Sequence, residues 1–250
     1  MTGRSGRAWR TLILLLVLVF GTTACGSDEL VVSAAASLTD AFSEIESAFE
    51  FSNPDVDVVL NFGGSSTLRE QILEGAPVDV FASANSSNMD QLVAAGLVDG
   101  QPEVFARNSL QIAVPVDNPA GITGLEDFAR EELLIGLCAE TVPCGEFART
   151  VLERATVAPA LDTIEPDVRA LLTKIAAGEL DAGITYVTDV ASAGGAVDGI
   201  EIPQSLNVVA AYPIAVVMDA SHPAAAAAFV EFVLSVEGRA ILDSYGFSSP

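Results

Sequence analysis

The sequence predicts an α/β protein of two lobes, each with a parallel-rich sheet and helices on both faces. Strand and helix patterns alternate along the chain, and half of its 250 residues are hydrophobic. Two long extended segments, Ser109–Val116 and Val208–Val217, divide the chain unevenly. We interpret them as crossovers between the lobes. Residues 28–108 with 212–250 then form lobe 1, and residues 109–211 form lobe 2.

Periodicity and turn residues set the predicted elements. Phe42, Ile45 and Phe49 at helical spacing predict the first helix, with Ser37 as its N-cap residue. The predicted strands, in order, are Leu30–Ala36, Val56–Phe62, Val78–Ala82, Ser109–Val116, Leu133–Leu137, Ala182–Tyr186 and Val208–Val217. The predicted helices are Leu38–Phe51, Thr67–Glu74, one that begins at Asn85 or Ser86, Gly145–Arg154, Asp167–Ala177, Pro223–Leu234 and Val236–Ser244.

Residues 1–24 are typical of a secretory signal peptide. Arg4, Arg7 and Arg10 precede the apolar run Thr11–Phe20, which is too short to span a bilayer, and small residues then lead to Cys25. This order resembles a bacterial lipoprotein cleavage box. It predicts an exported protein that is held at the membrane through lipidated Cys25, on the periplasmic or extracellular face. The alternative is a plain signal peptide followed by an incidental cysteine.

The charge balance argues against several functions. The chain has 11 Lys and Arg against 34 Asp and Glu, a formal net charge of −23. Nucleic-acid binding is disfavoured, because a phosphate backbone needs a basic surface. The single histidine, His222, precedes Pro223, and no motif links it as a base to a serine nucleophile. We therefore expect no enzyme activity and no His-rich metal site.

Besides Cys25, the chain has two cysteines, Cys138 and Cys144 in GLCAETVPCG. In an exported chain, a close cysteine pair indicates a disulfide. Zinc binding is the competing interpretation, but two cysteines and one distant histidine do not supply four ligands.

Polar or proline-containing turns follow strands at four places where helices are predicted to begin. Helix N-termini carry free N–H groups and the positive end of the helix dipole, so they favour anions. For any single serine, ordinary helix capping is the alternative, and spacing alone leaves both interpretations open. The four turns are Ala35-Ala36-Ser37, Gly63-Gly64-Ser65-Ser66, Pro143-Cys144-Gly145 and Pro166-Asp167-Val168.

These turns lie within longer runs that resemble a known family, the periplasmic molybdate-binding proteins of ABC transporters. The resemblance covers nearly all of the chain after the signal peptide. It implies a type II, venus-flytrap fold that closes on molybdate or tungstate, with no cofactor, and a monomer that serves an ABC permease and ATPase. The runs are AAASLTDAF (34–42), FGGSSTLREQILEGAPVDVFASA (62–84), VPCG (142–145), EPDVRALL (165–172), GITYVTDVA (183–191) and YGF (245–247).

The resemblance also implies five residues that bind the oxyanion. Ser37 and Ser65 supply hydroxyls and N–H groups, Cys144 and Val168 supply backbone N–H groups, and Tyr186 supplies its hydroxyl. These groups contact the oxygens of molybdate, so no direct metal ligand is implied. Cys144 stands where the family more commonly has alanine, a change that a backbone donor tolerates.

This donor set fits the chemistry of a doubly charged oxyanion. Molybdate offers only acceptors and the five residues offer donors, whereas hydrogen phosphate carries a proton that would find no acceptor. A receptor for another tetrahedral oxyanion such as sulfate remains the alternative, because rejection of sulfate depends on the size of the cavity. Asp167, beside the Val168 amide, is expected to cap its helix and to point away from the anion.

Overall fold

The computed structural model describes residue 2 and residues 28–250. The predicted signal peptide, apart from residue 2, and the predicted lipidation site Cys25 therefore lie outside the described residues. None of the helices that are described is long and apolar enough to cross a bilayer.

The described chain alternates strands and helices as the sequence predicts. The strands are β1 (Asp28–Ala35), β2 (Val56–Gly63), β3 (Val80–Ala82), β4 (Val98–Pro115), β5 (Ile135–Cys138), β6 (Thr163–Glu165), β7 (Ala182–Tyr186), β8 (Val197–Glu201) and β9 (Val209–Val217). The helices are α1 (Thr39–Ser52), α2 (Ser65–Leu73), α3 (Ser86–Ala94), α4 (Pro143–Arg154), α5 (Val168–Ala176), α6 (Val187–Ser192), α7 (Pro223–Leu234) and α8 (Val236–Ser244), with short 3-10 turns at Ala36–Leu38 and Leu125–Ala129.

The strands join in the order β2-β1-β3-β9-β4-β7-β5-β6, and β8 also pairs with β4. β1 is parallel to β2 and β3, and β5 is parallel to β6 and β7. Strand β4 is antiparallel to all its neighbours: it pairs with β9 as far as Ser109, and with β7 and β8 from Leu110 onward. Strand β4 therefore lies between two groups of parallel strands, β2-β1-β3 on the side of β9 and β7-β5-β6 on the other.

We call β2, β1, β3, β9 and the start of β4 the first lobe, with α1–α3, α7 and α8 packed on it. The end of β4 with β5–β8 and α4–α6 is the second lobe. The residue limits predicted for the lobes, 28–108 with 212–250 and 109–211, stay predictions.

Amphipathic helices and interlocking aromatic rings form the core. Helix α1 buries Phe42, Ile45 and Phe49 at the spacing that predicted it. The rings of Phe42 and Phe49 pack edge-on against Phe229 of α7, with centroids 6.1 Å and 5.2 Å apart. This packing fixes α1, and with it the turn between β1 and α1 that faces the other lobe.

The structure corrects several local predictions. Helix α4 begins at Pro143 rather than Gly145, and β5 spans Ile135–Cys138 rather than Leu133–Leu137. Ser37 is not the N-cap of α1: it lies in the preceding 3-10 turn, and Leu38 takes the N-cap position without a side-chain hydrogen bond. Helix α2 begins at Ser65 rather than Thr67, because Gly64 is the last extended residue and serves as the N-cap. Strand β3 begins at Val80 rather than Val78. Strand β4 begins at Val98, well before the predicted Ser109, and two irregularities in its register accommodate the extra residues.

Candidate functional site

Loops from both lobes enclose one cavity of about 210 Å³, including its space open to solvent. It lies where β1, β2 and β7 end and where α2, α4 and α5 begin. All five residues that the sequence predicts as oxyanion ligands line it: Ser37, Ser65, Cys144, Val168 and Tyr186.

The first lobe contributes two buried serine hydroxyls. Ser65 is the first residue of α2, and its Oγ accepts the backbone N–H of Ala84 at 3.0 Å. Because that N–H can only donate, the Ser65 proton is left to point elsewhere, and the cavity is adjacent. The Oγ of Ser37 lies 2.9 Å from the Tyr212 hydroxyl.

The second lobe contributes backbone amides at two helix N-termini. Cys144 follows Pro143 in the first turn of α4, and Val168 is the first residue of α5. Neither amide donates to an acceptor within the part of the chain that the structure describes. Both N–H groups lie at the positive ends of helix dipoles, where an anion is stabilised.

Asp167 also lines the cavity, but its carboxylate is engaged by its own helix. Its Oδ1 accepts the N–H groups of Arg169 and Ala170, both at 2.9 Å, and this confirms the predicted capping role. A second nearby carboxylate, Glu146 of α4, accepts the side-chain amide of Asn85 at 2.9 Å. Hydrogen bonds to protein donors thus engage both acidic groups.

Tyr186 brings the third hydroxyl to the cavity. It is the last residue of β7, is 1% exposed, and its hydroxyl has no hydrogen-bond partner among the described residues. Burial raises its pKa well above the ordinary tyrosine value, and nearby Tyr212 and Asp189 raise it further. The group therefore stays a neutral phenol that is able to donate a hydrogen bond.

A buried carboxyl supports Tyr186 from behind. Oδ2 of Asp189, in the first turn of α6, accepts the Tyr186 backbone N–H at 3.1 Å. Burial raises the pKa of Asp189 to about 7, although this hydrogen bond and the charge of Arg169 oppose the shift.

The two cysteines form a disulfide, as predicted, between the end of β5 and the start of α4. It clamps the loop that carries the Cys144 amide. Zinc binding has no support here: within residues 28–250, no group of three or more His, Cys, Asp or Glu side chains is placed to hold a metal.

The lobes touch closely at the rim of the cavity. A Cβ built on Gly64 would lie 2.7 Å from Val142 Cγ1 and 3.0 Å from the Pro166 carbonyl oxygen, so only glycine permits this approach. Beside it, Arg169 of α5 pairs with Asp40 of α1 at 2.9 Å. The described state is therefore one with the lobes closed on the cavity.

Three further residues contribute to the site in ways that the sequence did not indicate. Tyr212, Ala84 and Gly64 act through neighbours rather than through a motif of their own. Only Tyr212 left a signal, since it is the one hydroxyl-bearing residue in the apolar strand VAAYPIAVV. Ala84 contributes a backbone group, and Gly64 resembles an ordinary turn glycine.

A crevice between two lobes, lined by helix N-termini, defines a solute-binding protein of the periplasmic type. The chain belongs to the family of bacterial extracellular solute-binding proteins, whose model matches residues 30–248. Membership in this family places it among exported proteins.

Individual relatives agree with this assignment. The molybdate-binding protein ModA of Mycobacterium tuberculosis is 38% identical over 94% of this chain and 95% of its own. The periplasmic molybdate-binding protein of Azotobacter vinelandii has the same fold, with a TM-score of 0.77 and 19% identity over 88% of this chain and 99% of its own. The sulfate-binding protein SubI of M. tuberculosis also shares it, with a TM-score of 0.80 and 20% identity over 89% and 87%.

Proposed function

We propose that this protein captures molybdate or tungstate outside the cytoplasm and delivers it to the permease and ATPase of an ABC importer. The observation that carries the proposal is the set of hydrogen-bond donors around one small cavity: two serine hydroxyls, two helix N-terminal amides and one unpaired tyrosine hydroxyl. The relative ModA of M. tuberculosis, 38% identical to this chain, is named a molybdate-binding protein, which supports the same ligand.

The charge and hydrogen-bonding capacity of the site match a dianion without a proton. Among the described residues that line the cavity none is Lys or Arg, so dipoles rather than a countercharge stabilise the ligand. A hydrogen bond to a charged group contributes about 1.5–3 kcal/mol net of the water it replaces, so several together favour binding of the anion. Hydrogen phosphate is disfavoured because its proton needs an acceptor, whereas the five proposed ligand groups face the cavity as donors.

The role is binding without catalysis. Ser37 and Ser65 would each need a base to act as nucleophiles. Their described neighbours are the Tyr212 hydroxyl and the Ala84 amide, and His222 does not line the cavity. We propose in addition that the protein is a monomer and that lipidated Cys25 anchors it to the membrane.

Calorimetric titration of the purified mature protein with molybdate, tungstate, sulfate and phosphate tests this function. We expect tight binding of the first two ions and a large rise in Tm on their addition, because a ligand of the folded state stabilises it. Tight binding of sulfate with weak binding of molybdate would instead assign the protein to sulfate. Absence of binding to all four ions would overturn the proposal.

A further inference from the structure

We propose that Tyr212 is a positioning residue of the anion site: its hydroxyl donates to Ser37 Oγ and so directs the Ser37 proton to the bound oxyanion. The inference rests on the proposed function and concerns a residue that lies behind the cavity wall. It assigns Tyr212 a part in ligand selection in addition to its part in the core.

Tyr212 is held rigidly in place. It is fully buried on β9, and its ring packs edge-on against Phe105, Tyr186 and Phe247 with centroids 5.5–6.3 Å apart. Its hydroxyl lies 2.9 Å from Ser37 Oγ, across 175 residues of sequence. A buried hydroxyl whose ring is packed on several sides has a defined hydrogen-bond geometry.

The surroundings of the Tyr212 oxygen decide which hydroxyl donates. The side chain of Asn108 lies beside it. The Asn108 Oδ1 already accepts the Ser109 N–H at 3.0 Å, so Asn108 presents its amide N–H groups, one of which donates to Thr188. The Tyr186 ring packs against Tyr212, but the Tyr186 hydroxyl has no hydrogen-bond partner among the described residues. Among the described residues, Ser37 Oγ is thus the acceptor that remains for the Tyr212 proton.

The arrangement at Ser65 provides an independent parallel. There the donor is the Ala84 backbone N–H, whose direction is unambiguous, and Ser65 Oγ accepts it at 3.0 Å. Each serine therefore accepts a hydrogen bond from the protein on its inner side. Its own proton is then available on the side of the cavity.

A fixed proton direction has a consequence for ligand choice. A free serine hydroxyl both donates and accepts, so it can rotate to accept the O–H of a protonated oxyanion. With Tyr212 donating to it, Ser37 presents its proton to the ligand instead. Tyr212 thus favours oxyanions without a proton over hydrogen phosphate.

A double-mutant cycle with Tyr212→Phe and Ser37→Ala tests this role by titration with molybdate. Phenylalanine keeps the aromatic packing and removes only the hydroxyl. We expect Tyr212→Phe to weaken binding about 5- to 10-fold in the wild-type background, and about twofold or less when Ser37 is already alanine. Equal losses in the two backgrounds would overturn the proposal, because a general structural effect does not depend on Ser37.

Tyr245→Phe is the matched control, since the Tyr245 hydroxyl donates to Glu44 and neither residue lines the cavity. We expect wild-type affinity from it. Competition with phosphate gives a second measurement: the preference for molybdate over hydrogen phosphate should fall in Tyr212→Phe, and an unchanged preference would contradict the directed proton. If the wild-type protein itself failed to bind molybdate, the proposed function would be wrong instead.

Discussion

The two lobes supply different kinds of donor to the same cavity. The first lobe offers the side-chain hydroxyls of Ser37 and Ser65, whereas the second offers the backbone amides of Cys144 and Val168, with Tyr186 as its one hydroxyl. A side-chain donor is lost with one substitution, but an amide survives almost any. Binding is therefore encoded by residue identity in the first lobe and mainly by helix placement in the second.

The largest effect is expected from the first lobe. Ser37→Ala combined with Ser65→Ala removes two hydrogen bonds to a charged ligand, each worth about 1.5–3 kcal/mol. We expect molybdate binding to fall by at least about 100-fold in a titration, with the fold retained. Ser86→Ala with Ser87→Ala, two exposed serines of α3, is the matched control. Tight binding by the site variant would refute the role of the hydroxyls.

A smaller but clear loss is expected where the lobes meet. Gly64→Ala places a Cβ 2.7 Å from Val142 Cγ1, so the closed state must open or shift. Overpacking of this kind costs about 1–3 kcal/mol, and we expect affinity to fall roughly 10- to 100-fold. In the control Gly124→Ala, the Cβ would meet only the mobile end of Glu126. Unchanged affinity of Gly64→Ala would show that this contact does not accompany binding.

The amide donors of the second lobe should tolerate substitution. Cys144→Ala and Val168→Ala each keep the N–H group, so we expect affinity to change by about threefold or less. Titration of each variant with molybdate measures the change. A loss from Cys144→Ala as severe as that of the double-serine variant would mean that the disulfide itself maintains the site, and the contrast between the lobes would no longer hold.

The least effect on affinity is expected from Asp189→Asn. This substitution should instead change how the free energy of unfolding depends on pH. The carboxyl keeps its proton to about pH 7 in the folded protein but loses it near 3.8 when unfolded. Between these values the folded state binds more protons, so this group's contribution to the free energy of unfolding decreases as pH rises. Denaturant unfolding from pH 4.5 to 7.5 should show the wild type losing stability relative to Asp189→Asn. Parallel profiles would show that the carboxyl titrates normally.

Sequence alone predicted most of the architecture because strands and helices with one buried face carry a clear period. It missed the first half of β4, where Gly100 and Pro102 are typical of a turn. It also missed the short strands β6 and β8 and the six-residue helix α6, which are too short to show a clear period. The family resemblance named five site residues, and all five line one cavity of the structure. It did not indicate Tyr212, because no local pattern shows which distant hydroxyl will meet Ser37.

The pairing of β4 with β9 has a mechanical consequence. Both strands that connect the lobes belong to one antiparallel ribbon, hydrogen-bonded up to the point where they part at Ser109 and Val209. A two-stranded connection of this kind is where hinge bending between two lobes is absorbed. Tyr212 sits on that ribbon and touches Ser37, so flexing of the hinge and the release of the anion share a physical link.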